Sequence, residues 1–413
     1  MVAASVPFNL ETCARPNILQ LVPYRCARDD YKDDGVNILL DANENAYGPS
    51  LPLNGARASK NDLDETGSDL DFDCTRLHRY PDPHQIDLKS LFCAYRNRNP
   101  TNPITPANLF LGVGSDEAID ALLRCFCRPG KDKILTCPPT YGMYAVSAQV
   151  NDVEVIKVAL NLESGNFELR PDEINKALAA DLDIKLVYIC SPGNPTGALV
   201  DPAAVQKILA HPTWNGVVIV DEAYVDFAPD GSSLAPWVAE YPNLVVMQTL
   251  SKAFGLAGIR LGVAFTSAPI ARLLNSLKAP YSISSPTSAI GMTAFSSAGL
   301  AVKHANVSKI LAQRDRLLVE LPKIPGIGNF LGGRAANFLL VEILSAPGVG
   351  KPCNTVALKV YQGLAETMGI VVRFRGSEAG CNGCLRMTVG TEAENTRLLE
   401  KLREMMADIY AAT

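Results

Sequence analysis

The 413-residue chain, 47% hydrophobic and 20% charged, has the composition of an ordinary globular protein and enough length to bury one or two sizeable cores. A formal net charge of −5 gives no electrostatic reason to invoke a nucleic-acid or anionic-membrane partner. The 11 cysteines have no paired spacing beyond the single CxxC of Cys381 and Cys384, and with only four histidines (His78, His84, His211, His304) the chain offers no metal-ligand pattern.

The N-terminal stretch MVAASVPFNLETCARPN lacks the charged-then-apolar layout of a secretory signal. No apolar run is long enough to cross a bilayer, and scattered cysteines suit a reducing compartment, so a cytoplasmic location is expected. Residues 1–50 are read as an N-terminal arm. Residues 51–78 follow as an acidic insertion: Asp62, Asp64, Glu65, Asp69, Asp71 and Asp73 sit there with few apolar anchors, which predicts a solvated loop.

From about residue 108 the pattern alternates. Ile119, Leu122, Leu123 and Phe126 recur at helical spacing and predict a helix over Asp116 to Cys127. Short apolar runs at Lys133–Thr136, Leu186–Cys190, Val217–Val220 and Leu244–Gln248 read as strands. They end in the turns CPPTYG, SPGNPTG, DEAY and TLSK. This alternation predicts an α/β domain over 79–297, with a mostly parallel central sheet flanked by helices. Ligands collect at the carboxyl ends of such strands, where these turns lie. Residues 298–413 read as a smaller α+β domain, with helices at Ala301–Leu318 and Thr355–Met368, strands at 336–343, IVVRF and LRMTVG, and a closing charged helix.

Four of the turns carry polar groups that could do chemistry. GVGSDE lacks the third glycine of a dinucleotide fingerprint, because Glu117 stands in its place. Its Ser115 and Asp116 suit either an anion bound by exposed backbone N–H groups or a plain helix cap. In SPGNPTG, Asn194 is either a turn former or an amide donor above the sheet. Asp221 of DEAY is a carboxylate at the end of a buried strand, which demands a partner: an arginine, or the protonated ring nitrogen of a cofactor. Lys252, in QTLSKAFGLAGIR, either pairs with an acid or is a desolvated amine able to form a Schiff base, with Arg260 supplying positive charge nearby.

The order of these parts resembles the fold-type I enzymes that use pyridoxal 5′-phosphate. More narrowly, PNILQLVPYRCAR, LLDANENAYGP, RYPDPHQ, CPPTYGMYAVSA, SPGNPTG, VDEAYVDF, TLSKAFGLAGIRLG, ANFLL and LRMTVGTEAEN are similar to the histidinol-phosphate aminotransferase family, over nearly the whole chain. That resemblance implies a Schiff base between Lys252 and pyridoxal phosphate, and Asp221 as the partner of the ring nitrogen. It implies Asn194 and Tyr224 on the phenolic oxygen and Tyr141 stacked on the ring. The phosphate would be held at Ser115, Asp116, Ser251 and Arg260, with Tyr80 reaching the phosphate of a neighbouring subunit in a homodimer. Tyr24, Asn43, Arg373 and Arg386 would bind substrate, with Arg375 as a competitor to Arg373. The implied reaction is reversible amino transfer from L-histidinol phosphate to 2-oxoglutarate. The alternatives are an aromatic or broad-range aminotransferase, a phospho-amino-acid decarboxylase, or a non-catalytic regulator on the same fold.

Overall fold

Runs rich in Val, Ile and Leu dictate the strands, since β-branched side chains lose little rotamer freedom on a pleated, buried surface. In the computed structural model, which describes residues 15–22, 25–32, 35–52, 76–97, 101–163 and 165–411, thirteen strands follow in chain order. They are β1 (Ile38–Leu39), β2 (Leu109–Val113), β3 (Lys133–Thr136), β4 (Glu154–Lys157), β5 (Ile184–Cys190), β6 (Val217–Asp221), β7 (Leu244–Thr249), β8 (Leu261–Thr266), β9 (Ile327–Leu331), β10 (Phe338–Ile343), β11 (Ile370–Val371), β12 (Arg373–Phe374) and β13 (Cys384–Thr388). Most of the acidic insertion (53–75) lies outside the described residues, as does Tyr24.

A seven-stranded sheet has the order β2-β8-β7-β6-β5-β3-β4. β3 to β7 run parallel, and β8 is antiparallel to both of its neighbours. The expected mostly parallel sheet flanked by helices is therefore borne out. Both of its faces are covered, so β6, β7 and β8 are buried at every position and read as continuous apolar runs. Alternate residues serve opposite faces: Val218, Val246 and Phe265 enter one core, while Ile219, Val245 and Ala264 meet the helix Gly114–Phe126 in another. That helix begins two residues before the expected start, because the Glu117 carboxylate reaches back to accept the Val113 N–H at 2.5 Å.

A second sheet, β12-β13-β10-β9, is antiparallel throughout. The expected single strand IVVRF is corrected here. Ile370 and Val371 pair in parallel with β1 of the N-terminal arm, whereas Arg373 and Phe374 pair with β13. Two partners compete for one apolar run, and the chain changes sheets at the fully buried Val372. The helices Ser297–Glu320, Asn354–Thr367 and Glu392–Ala411 cover this sheet. Its core also takes in Leu40, Tyr224, Phe227 and Ala253. The turns after β6 and β7 are thus anchored from both sides.

All nine described cysteines are free thiols. Among the described residues no helix is long and apolar enough to cross a membrane, and no cluster of His, Cys, Asp and Glu could hold a metal.

Candidate active site

The carboxyl ends of β5, β6 and β7 are in register, with Cys190 opposite Asp221 and Asp221 opposite Met247, so their turns open at one level above the sheet. Asp221 is 3% exposed, and burial pushes its carboxyl up to about 6. Tyr144 Oη donates to its Oδ2 at 2.6 Å and the Ala223 N–H to its Oδ1 at 3.2 Å. No arginine pairs with it among the hydrogen bonds seen, which removes the plain structural alternative for this carboxylate.

Lys252 lies in the turn after β7, and its Nζ donates to Ala42 O at 2.9 Å. Burial, reinforced by the Arg386 charge, lowers its ammonium to about 8. The same turn packs tightly: Gly255 has φ +64, and a Cβ there would stand 2.2 Å from Gly48 O. Among the described residues no carboxylate forms a salt bridge with the amine, and a desolvated amine of this kind is suited to act as a nucleophile.

A cationic corner forms beside it. Arg260, with φ 53, places its guanidinium 3.4 Å from Ser251 Oγ, 3.2 Å from Ala257 O and 3.4 Å from Asp116 Oδ2. These are long for charge-assisted bonds and leave the guanidinium short of a strong anionic partner. The helix Gly114–Phe126 starts at this point, where its first N–H groups have no intrahelical acceptor; that of Gly114 donates outside the helix, to Arg260 O at 3.0 Å. Gly262 of β8 allows the close approach, since a Cβ there would lie 2.3 Å from Ser115 N.

Across the cavity, Arg386 of β13 is 4% exposed and donates to Asn194 Oδ1 at 2.7 Å and to Asp41 O. With its carbonyl so engaged, Asn194 has its amide N–H groups available to a ligand. Asn43 Nδ2 donates to Tyr224 Oη at 2.9 Å, and its own carbonyl accepts from Thr388 Oγ1 at 3.0 Å. Tyr141 Oη donates to Asp116 Oδ1 at 3.1 Å. Arg373 pairs with Asp30 and donates to Arg25 O at 3.0 Å, while Arg375 holds Glu378 at 2.7 Å.

One cavity of about 260 Å³ is lined by Asn43, Ser115, Asp116, Tyr141, Asn194, Asp221, Tyr224, Ser251, Lys252, Arg260, Arg373 and Arg386, and also by Arg375. Sequence reasoning left Arg373 and Arg375 as rivals; the fold brings both to the wall. Tyr80 is not brought there: it is 82% exposed and stacks on Tyr281 with centroids 4.6 Å apart. Residues missed from the sequence are Tyr144, which follows Tyr141 at helical spacing, and Asp41 and Ala42, whose backbone carbonyls hold Arg386 and Lys252.

The family model for aminotransferase class I and II matches residues 36–402. The histidinol-phosphate aminotransferase of Schizosaccharomyces pombe is 50% identical over 406 residues, 98% of this chain and 99% of that one. The chain belongs to the histidinol-phosphate aminotransferases. The Saccharomyces cerevisiae family member is 46% identical over 97% of this chain and 98% of its own. Among solved structures, the family member from Sinorhizobium meliloti, in complex with pyridoxal-5′-phosphate, has a TM-score of 0.78 at 21% identity, covering 96% and 98% of the two chains. An aspartate aminotransferase from Thermus thermophilus has a TM-score of 0.71 at 18% identity, covering 96% of this chain and 99% of its own. The fold of the family and that of this chain are the fold-type I aminotransferase architecture.

Proposed function

We propose that this chain transfers the amino group of L-histidinol phosphate to 2-oxoglutarate, reversibly, giving 3-(imidazol-4-yl)-2-oxopropyl phosphate and L-glutamate, a step of histidine biosynthesis, with pyridoxal phosphate as cofactor. The observation that carries this reading is one cavity that joins an amine of lowered pKa to a buried carboxylate and a cationic grip, in a chain of this family. Family membership at this identity favours it over the aromatic, decarboxylase and regulatory alternatives.

The residues present fit the cofactor. Arg260, Ser251 Oγ and the backbone at Ser115 and Asp116 form a corner for a phosphate, and the long contacts of Arg260 leave it able to take one. Lys252 would hold the aldehyde carbon, Asp221 the ring nitrogen, and Asn194 and Tyr224 the phenolic oxygen. Tyr224 Oη already accepts from Asn43, which leaves its O–H to donate. Tyr141 would cover the ring face. When bound, the cofactor supplies an electron sink for the charge left on the substrate α carbon after deprotonation.

The chain supplies the rest. Near neutral pH an amine with a pKa of about 8 is uncharged in an appreciable fraction, so Lys252 can take the α-carbon proton and return it to the other side of the C–N bond. Asp221 keeps the ring nitrogen protonated. Arg386 receives the carboxylate of glutamate or 2-oxoglutarate in bidentate fashion. Arg373 and Arg375 serve the second anionic group, and Asn43 lines the substrate pocket with them. Tyr24 belongs to this reading through the resemblance alone.

The subunit arrangement is also proposed. The outward-facing Tyr80 suits contact with a partner's phosphate in a homodimer. The division into an arm (1–50), an insertion (51–78), a cofactor domain (79–297) and a small domain (298–413) is supported by the seven-stranded sheet, whose strands all lie within 79–297, and the four-stranded sheet, whose strands all lie within 298–413. A cytoplasmic location suits a biosynthetic enzyme.

The test starts from purified protein with pyridoxal phosphate, whose lysine-bound absorbance is recorded before and after L-histidinol phosphate is added. We expect bleaching by that substrate, recovery with 2-oxoglutarate, and loss of both the band and turnover in Lys252→Ala. Full turnover in that variant would overturn the mechanism. Bleaching by aromatic amino acids but not by histidinol phosphate would overturn the substrate assignment.

A further inference from the structure

Asp221 has a neighbour to which the resemblance gives no role. Tyr144, on the helix Met143–Val150, is fully buried and donates its hydroxyl to Asp221 Oδ2 at 2.6 Å. Its ring is clamped on two sides. It lies against Tyr188 of β5, with centroids 4.7 Å apart and planes 22° apart, and meets Tyr141 edge-on at 5.6 Å. Tyr188 sends its own hydroxyl elsewhere, to Ile119 O at 3.3 Å. A large ring packed this way has few rotamers open to it, so its hydroxyl stays aimed at the carboxylate.

We propose that Tyr144 is a positioning residue whose hydroxyl holds the Asp221 carboxylate in the charge state and orientation that pairs with the cofactor ring nitrogen. This rests on the proposed pairing of Asp221 with that nitrogen. Burial and the nearby Asp116 carboxylate favour a neutral Asp221, whereas the Tyr144 hydroxyl, the Ala223 N–H and Lys252 favour the charged form. A short hydrogen bond from a neutral hydroxyl to a carboxylate selectively stabilises the ionised acid. Tyr144 is suited to that task because burial and the adjacent Asp221 charge hold its own proton well above the ordinary phenol range. It is a donor at every working pH. The other titratable groups around Asp221 are Tyr188 and Cys190 of β5 and Tyr224 after β6, and burial raises all three, so they stay protonated, while the charges acting on Asp221 are those of Asp116 and Lys252.

Tyr144→Phe keeps the ring and its stacking and removes only the O–H group. Apo-protein would be titrated with pyridoxal phosphate across a pH series, for wild type, Tyr144→Phe and Tyr188→Phe. We expect Tyr144→Phe to bind the cofactor roughly tenfold more weakly at neutral pH. The acid limb of its binding curve should move to higher pH, because Asp221 then protonates more readily. Tyr188→Phe removes a buried hydroxyl from the same stack and should leave that limb in place. In an Asp221→Asn background the cost of Tyr144→Phe should shrink, since the effect runs through Asp221. An unshifted acid limb in Tyr144→Phe, or a cost undiminished in the Asn background, overturns the inference while the Asp221 pairing stands. Unchanged cofactor affinity in Asp221→Asn alone removes that pairing, and the inference with it.

Discussion

Arg386 acts on the site in two ways, and one substitution separates them. Its guanidinium is the second cause, after burial, of the lowered Lys252 pKa, and it is also the proposed carboxylate grip. Arg386→Gln should therefore raise the pH at which the Lys252 amine becomes reactive, read from the pH dependence of cofactor capture by apo-protein. The same change should raise the KM for 2-oxoglutarate by about 30- to 100-fold, equivalent to roughly 2–3 kcal/mol for a lost charge-assisted pair. Arg386→Lys restores the charge but not the planar fork, so it should recover the pKa effect and only part of the affinity. At this scale the sequence was informative where a turn follows a strand. Asn194, Asp221 and Lys252 announce themselves because an apolar run stops abruptly on a polar group. Tyr144 and the carbonyls of Asp41 and Ala42 do not, because a tyrosine in a helix and a backbone oxygen have no distinguishing neighbours in the sequence.

The strand-to-turn connections hold the site, and two of them can be broken selectively. β8 crosses the start of the helix Gly114–Phe126 so closely that a Cβ on Gly262 would lie 2.3 Å from Gly114 C and Ser115 N. Backbone cannot yield there as a side chain can. Gly262→Ala should cost about 1–3 kcal/mol in urea unfolding and weaken cofactor binding by displacing the phosphate corner. On the far side of the DEAY turn, Asp226 accepts from Arg96 at 3.0 Å, Tyr95 at 2.8 Å and Lys303 at 3.3 Å. Burial pushes this carboxyl up, but Arg96 and Lys303 outweigh it and hold it below the usual value. Asp226→Asn leaves two buried cations uncompensated and should cost about 3–5 kcal/mol by the same assay. The helices and strands expected from periodicity lie within a few residues of their observed positions, whereas β2, β4, β8 and β9 were not among those expected. The splitting of IVVRF between two sheets was not readable either, because partner choice depends on β1, a two-residue strand whose Ile38 pairs with Ile370, 332 positions downstream (370 − 38).

The whole molecule carries a balance of buried acids that sets its response to pH. Burial raises Asp221 to about 6, and it does the same to Glu222, although Glu222 accepts from Leu234 N at 2.6 Å, Ser233 Oγ at 2.7 Å and Gln248 Nε2 at 2.7 Å. For both, the folded pKa lies above the unfolded value of about 4, so between roughly pH 4 and 6 the folded state binds more protons. Stability of the apo-protein should therefore rise as pH is lowered from 7 toward 5, by at most about 2–3 kcal/mol for each acid. Asp226 has the opposite sign: its contribution is present above the unfolded value and is lost only as pH falls below about 4. Urea midpoints of apo-protein at several pH values check this, and a midpoint that falls steadily from pH 7 to 5 would contradict it. Cofactor at a hundred times its Kd should add about 2.7 kcal/mol, with a flatter acid slope because Asp221 then has a cationic partner.

By itself the sequence determined the alternation of strands and helices, the mostly parallel sheet and the identity of the groups at its carboxyl edge, because these follow from local period and from the cost of ending a buried strand on a charge. Only the tertiary structure decided that Arg386 reaches Asn194 and Asp41, that Arg373 and Arg375 share one wall, and that Tyr144 meets Asp221. The contacts of Arg386 and Tyr144 join residues far apart in the chain, and their geometry depends on how the sheets and the N-terminal arm pack together. No local period encodes that packing.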